Sequence, residues 1–354
     1  MKTARRMPVT SLLALIAAVL VPTMGAPQDV ASFYRGKQVR VLIGYSAGGG
    51  YDTYARLLAR HIGKHIPGNP TVVPQNMPGA GSLALTNFLY NVAPKDGTVL
   101  GTIARGMAME PLLGGEGTRF DATKFSWIGS LNNEVSICAS WHTSKVRTVE
   151  DLRTTQLIVG GTGSGADTDT FPIVMSNLLD AKIKLISGYP GGNDILLAME
   201  RGEVDGRCGW SWSSVVANRR DWLTEKKINI LVQMALHKHP DLPNVPLILD
   251  LADSADESMA MELIFARQVM GRPYVAPPGI PAERREALRQ AFLDMVEDPE
   301  FKADIQKIDL ELNPVSGAEI ERVIARIYAA SPTAIRLASD AIKKTDRIHL
   351  DGGR

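Results

Sequence analysis

Apolar positions along this 354-residue chain fall in short solid runs, each followed by a glycine-rich stretch and then by apolar residues at helical spacing. Gln-Val-Arg-Val-Leu-Ile at 38–43 reads as a strand that ends in a buried apolar run. It enters Gly44-Tyr45-Ser46-Ala47-Gly48-Gly49-Gly50. Beyond Asp52, Tyr54, Leu57, Leu58, His61 and Ile62 trace one face of a helix. A second unit follows, with a strand at 71–74, the loop Asn76-Met77-Pro78-Gly79-Ala80-Gly81-Ser82 and a helix over 83–92. A turn at 94–97 then leads to a third strand at 99–104.

The pattern returns in the second half. Leu157-Ile158-Val159 enters Gly160-Gly161-Thr162-Gly163-Ser164-Gly165, and a helix is expected from about 169 to 179. A strand at 184–187 leads into Gly188-Tyr189-Pro190-Gly191-Gly192-Asn193, with Asp194 read as the cap of a helix ending near Arg201. Parallel strands need helical crossovers, so these four units in two separated pairs predict two parallel-type sheets flanked by helices. Residues 125–140 look extended and are placed to cross between two domains; a second crossing is expected near 267–276. From Pro281 the chain reads as helical, over 281–297, 298–308 and 316–331.

A length of 354 residues exceeds what one core usually organises. The expected domains are 27–133 with 264–354, and 134–263. Lys2, Arg5 and Arg6 precede a mostly apolar run at 9–21 that is too short to span a bilayer, so 1–26 reads as a secretory leader. Lys+Arg 39 against Asp+Glu 38, with no basic block, excludes a nucleic-acid surface. Cys138 and Cys208 are compatible with a disulfide in an oxidising compartment or with two buried thiols.

The glycine loops carry the candidate chemistry. The first N–H groups of a helix lack helical partners, and the macrodipole adds partial positive charge, so an anion can supply what is missing. Glycines admit it closely, and Ser46, Ser82, Thr162, Ser164 and Thr168 add hydroxyl donors. Arg105 and Arg207 are candidate carboxylate partners or surface ion-pair members. Trp210 and Trp212 could wall a pocket or fill a core. Three competing readings share these residues. Gly44-Tyr45-Ser46-Ala47-Gly48 fits a serine-hydrolase elbow, but it follows the first strand, and His237, His239 and His349 offer no recognisable base pattern. Gly161 to Ala166 loosely fits a dinucleotide fingerprint, without the acid a ribose needs. His61 and His65 lack a third zinc ligand. No cofactor, metal or catalytic residue is therefore expected.

The segment 34–114, with Gly-Tyr-Ser-Ala-Gly-Gly-Gly-Tyr-Asp at 44–52, Asn-Met-Pro-Gly-Ala-Gly-Ser at 76–82 and Ala-Pro-Lys-Asp-Gly at 93–97, resembles the tripartite tricarboxylate transporter receptor (TctC/Bug) family. Further matches follow in order at 160–165, 189–205, 277–281 and 298–300. The resemblance implies a two-domain periplasmic-binding fold of type II and a monomeric receptor that closes on a small carboxylate and delivers it to membrane subunits. It assigns residues 46–52, including Ser46, Gly49, Gly50 and Asp52, and residues 79–82 (Gly79, Ala80, Gly81, Ser82) to one half of the site. Residues 162–168, with Thr162, Gly163, Ser164 and Thr168, and 189–194, with Tyr189 and Asp194, form the other. The chain departs from the family pattern at Pro190, at Gly209 and Trp210, and in carrying Asp167 and Asp169 beside a loop expected to receive an anion.

Overall fold

The computed structural model describes residues 29–343 and the strand His349–Leu350; the leader read at 1–26 lies outside the described residues. Among the described residues twelve strands make two sheets. The chain runs through β1 (Gln38–Ile43), β2 (Thr71–Asn76), β3 (Val99–Thr102) and β4 (Ser126–Ser130) in the first sheet. It crosses to β5 (Ser136–Trp141), β6 (Leu157–Gly160), β7 (Ile183–Ile186), β8 (Gly206–Ser211) and β9 (Ile228–Met234) in the second. It then returns to the first for β10 (Pro273–Ala276) and β11 (Val315–Ser316), and β12 (His349–Leu350) closes the edge of the second. The orders are β11-β4-β10-β3-β1-β2 and β12-β7-β6-β8-β5-β9. The expected two-sheet α/β architecture is present. The tail at 349–350 pairs with β7 rather than with the first sheet, where the expected division at 264–354 put it.

Both sheets are mixed for one reason. β1 pairs in parallel with β2 and β3, and β6 with β7 and β8, because helices cover these crossovers. The crossing strands pair antiparallel, β10 with β3 and β4, and β5 with β8 and β9. Apolar residues occupy both faces of β1: Val39, Val41 and Ile43 enter one core and Leu42 the other. A strand buried on both sides needs no polar alternation, which explains the solid runs.

The two crossings lie side by side. Glu134 N–H donates to the Gln268 carbonyl and Gly271 N–H to the Asn132 carbonyl, each at 2.8 Å, while Leu131 N–H reaches the Arg272 carbonyl at 3.3 Å. This two-strand ribbon, called the hinge below, joins the two halves.

The C-terminal helices form as expected at Ala282–Glu297, Pro299–Lys307 and Gly317–Tyr328, with a further helix, Pro332–Ala341, added. His61 and His65 serve packing: their Nε2 atoms lie 3.1 Å from Asp304 and 3.0 Å from Asp298, pinning Pro299–Lys307 against Gly50–His61.

Cys138 on β5 and Cys208 on β8 are joined, closing a separation of 70 residues. A link over that span removes loop entropy worth about 4 kcal/mol from the unfolded chain. Reduction should therefore lower unfolding stability by about 2–4 kcal/mol, read as a shifted urea midpoint with and without dithiothreitol.

Candidate ligand-binding site

Three helices that start at the carboxyl ends of strands converge on one small cavity between the sheets. Gly50–His61, Asp167–Leu178 and Gly192–Glu200 begin after Gly49, Ala166 and Gly191, and none of these has a side chain that caps its helix. Four helices away from the cleft are capped, since Ser254, Asp298, Ser316 and Ser331 each accept a first-turn N–H, although Ala282–Glu297 is not. A missing cap leaves N–H groups for an outside partner at a cost of about 1 kcal/mol per helix. Gly191 is the cap of its helix, so Asp194, read from sequence as the cap, sits in the first turn instead.

The cavity has a volume of about 50 Å³ and is walled by Gly49, Gly50, Tyr51, Thr162, Thr168, Gly192, Asn193, Arg105, Arg207, Trp210 and Arg272, among others. Its three guanidinium groups are held differently. Arg105 is a strut: Nε lies 2.9 Å from Asp167, Nη1 donates to Gln268 at 2.7 Å and Nη2 to Ser211 Oγ at 2.7 Å. Burial works against its charge, but Tyr51, Asp167 and Glu134 outweigh that and hold its pKa above the usual value. Arg272, on the hinge, pairs with Glu134 at 3.2 Å and donates to Ser211, Ser213 and Ser214. Its guanidinium also lies against the rings of Tyr51 and Tyr54, at 4.8 and 5.1 Å.

Arg207 has no carboxylate within ion-pair distance among the described residues. Nη1 donates to the Gly192 carbonyl at 3.2 Å and the guanidinium lies 5.3 Å from the Trp210 ring, but Nε has no hydrogen-bond partner. Burial pulls its pKa down to about 9, with Tyr45 favouring and Arg272 opposing the charge, so the group remains a cation at neutral pH. Even part-buried, a cation without a counterion is costly, and an entering anion removes that cost.

A bulge puts Arg207 and Trp210 on one wall. Ile137 and Ala139 on β5 stand two apart, yet their partners Trp210 and Arg207 stand three apart, so β8 carries one extra residue. Gly209 supplies it at φ +65°, and a Cβ there would lie 2.4 Å from the Asp167 carbonyl. A glycine inside a strand is the sequence sign of such a bulge.

Of the residues expected from sequence, Gly49, Gly50, Arg105, Thr162, Thr168, Arg207 and Trp210 line the cavity. The others lie beside it. Asp52 is buried, bonded to Arg56, Asn76 and the Gly48 N–H; burial pushes its carboxyl up, but these donors hold it below the usual value. Asp169 accepts from Gly163 N–H at 2.8 Å, so the second loop spends that donor on its own helix. Gly79, Ala80, Gly81 and Ser82 pack toward the opposite loop: Gly81 N–H donates to the Thr162 carbonyl at 2.8 Å, and a Cβ on Gly163 would lie 2.5 Å from Gly81 N. Ser164 faces a separate hollow with Glu110 and Ser339. Tyr189 packs beside Gly160, while Ser46 reaches across the cleft, its hydroxyl donating to Asp194 at 2.7 Å. The hydroxyl the elbow reading needs is thus bonded to a carboxylate rather than to a histidine.

Tyr45, inside the 44–52 motif, and Ser211, between the two tryptophans, also line the cavity without being sequence candidates, and Arg272 and Ser214 line it with no motif pointing to them. Arg272 belongs to the hinge segment, 65 residues beyond Arg207, and only the tertiary fold brings the two together.

A contact at the cleft edge is expected to depend on pH. His239, which follows β9, places Nε2 at 3.1 Å from Glu311, on the approach to β11. Asp241 lies 3.7 Å from its Nδ1, and the Glu311 bond raises its pKa, with Asp241 and Glu134 adding to the effect. The contribution is fully present below the free-histidine value of about 6.5 and is lost as pH rises through the raised value. Ligand affinity should therefore fall up to about fivefold between pH 6 and pH 8, where Arg207 stays charged, as expected of a part-buried pair. His239→Gln should flatten the profile in calorimetry.

No family model matches the chain. A curated UPF0065 protein from the gbd 5' region of Cupriavidus necator is 24% identical over 314 residues, covering 84% of this chain and 86% of that one. The structure of the periplasmic binding protein BugD superposes with a TM-score of 0.70 at 18% identity, over 88% of this chain and 100% of BugD. The chain has the fold of the TctC/Bug periplasmic binding proteins. MatC from Rhodopseudomonas palustris, solved with bound malate, shares this Bug-type fold with a TM-score of 0.67 at 17% identity, over 87% of this chain and 99% of MatC.

Proposed function

We propose that this chain is a periplasmic solute-binding receptor that captures a small organic carboxylate between its two α/β halves. It then delivers the acid to the membrane subunits of a tripartite tricarboxylate transporter. One observation carries the reading: Arg207 is a part-buried cation at the cavity wall, its Nε buried without a hydrogen-bond partner and with no acidic partner among the described residues. The uncapped starts of three helices add positive potential at the same point. The basic-apolar leader and the periplasmic neighbours support export, and MatC's malate supports a carboxylate. A binding role asks for no base or nucleophile, and the serine that an enzyme reading would use is tied to Asp194.

Closure follows from the same geometry. Arg105, Tyr51 and Gly49 come from the first half, and Arg207, Thr168 and Asn193 from the second, so an acid must be held by both. The closed form is then favoured by the difference in affinity between closed and open states. A thermal-shift screen of mono-, di- and tricarboxylates tests the proposal. An acid at about a hundred times its Kd should stabilise the protein by about 2.7 kcal/mol. A screen in which sugars or amines shift the melting temperature and no carboxylate does would contradict it.

A further inference from the structure

The charge balance of the cavity is more specific than the proposed function on which this inference rests. Three guanidinium groups reach the wall, from Arg105, Arg207 and Arg272. Two already have carboxylates, Asp167 at 2.9 Å from Arg105 and Glu134 at 3.2 Å from Arg272. One layer behind, Arg267 approaches Asp167 at 3.6 Å and also acts on the buried Glu110. Among the described residues each of these cations has an acid of its own chain to face, and Arg207 does not.

The donors follow the charges. Arg105 directs Nη1 and Nη2 at Gln268 and Ser211, and Arg272 spends its terminal nitrogens on Ser211, Ser213, Ser214 and the Gly271 carbonyl. Arg207 uses only Nη1, on the Gly192 carbonyl. Its Nε and Nη2 donate to nothing among the described residues, and that edge of a guanidinium matches the two oxygens of one carboxylate. Beside the paired Arg105, Asp167 and Arg272, the wall is uncharged and mostly apolar: Trp210, Leu196, Ala104, Ala166 and the stacked rings of Tyr45 and Tyr51, whose centroids are 4.7 Å apart, with Thr162, Thr168 and Asn193 among its polar members.

We infer that the cleft selects monocarboxylates with an uncharged, largely apolar body and discriminates against dicarboxylates. One carboxylate on the open edge of Arg207 neutralises the site. A second carboxylate on the same ligand would be buried with no cation of its own and with Asp167 in the wall to repel it, a cost that burial does not return. Selection here is the absence of a second open cation as much as the presence of the first.

Calorimetry on the mature chain with acids matched in skeleton, butanoate against succinate and benzoate against phthalate, tests this directly. At least one monoanion should bind, and bind tenfold or more tightly than its dianion. Asp167→Asn, which adds one net positive charge to the wall, should move that ratio toward the dianion by tenfold or more. A dianion that binds as well as or better than its monoanion overturns the inference and leaves the carboxylate receptor intact. Failure of both monoanions overturns the inference too, and failure of every acid in the wider screen removes the receptor reading with it. A ratio that Asp167→Asn leaves unchanged in a variant with native circular dichroism overturns the charge-balance argument.

Discussion

Arg207→Met should weaken carboxylate binding by at least a hundredfold, and it should leave the unliganded protein as stable as before or more so. The two effects have one cause. In the free protein the Arg207 guanidinium is part-buried without a counterion, and its lowered pKa reflects that cost. A methionine of similar length fills the same space against Trp210 at no electrostatic cost. In the complex the variant leaves a buried carboxylate unpaired, which costs about 3–5 kcal/mol, or two to three and a half orders of magnitude in Kd. Calorimetry and thermal melting of the same sample separate the terms. A merely structural arginine would lose stability when replaced, which is the opposite sign.

Keeping the two halves apart should have an effect of similar size. The glycine loops meet backbone to backbone: a Cβ on Gly81 would lie 2.7 Å from the Gly163 carbonyl oxygen and 2.9 Å from the Ala166 Cβ. Gly81→Val or Gly163→Val therefore blocks closure. Both positions have positive φ, +60° and +136°, so each substitution also strains its own loop and lowers the unliganded melting temperature. Gly191→Val avoids that complication. Its φ of −170° suits any residue, while its Cβ would lie 2.1 Å from Ser46 Oγ on the opposite half. We expect this variant to melt like the native protein, to bind at least a hundredfold more weakly, and to show no ligand-induced compaction in small-angle scattering. Native affinity in Gly191→Val would mean that binding does not require the closed contact.

The repeated strand, glycine loop and helix units were legible in the sequence because a doubly buried strand and a helix face each leave a periodicity of their own. The hinge was legible too, as extended segments between the unit pairs. The anion argument was right about bare helix starts and incomplete about where their charge is used. Asp169 takes up the Gly163 N–H and Asp52 the Gly48 N–H, so these acids satisfy the loops from within. Arg207 was visible as a candidate but not as the unpaired one, since pairing depends on where Asp167 and Glu134 come to rest. Arg272 and the bulge that turns Arg207 and Trp210 to the same wall depend on contacts far apart in the chain, and no local spacing encodes them.

The central claim is that an acid is held in the closed cleft by the open edge of Arg207, and a crystal structure of the protein with the tightest-binding acid from the thermal screen tests it most directly. The account predicts one ligand carboxylate within about 3 Å of both Nε and Nη2 of Arg207, with Arg105 still paired to Asp167 and the cleft shut. An acid held by the glycine loops with Arg207 turned away, or bound outside the cleft, would contradict it.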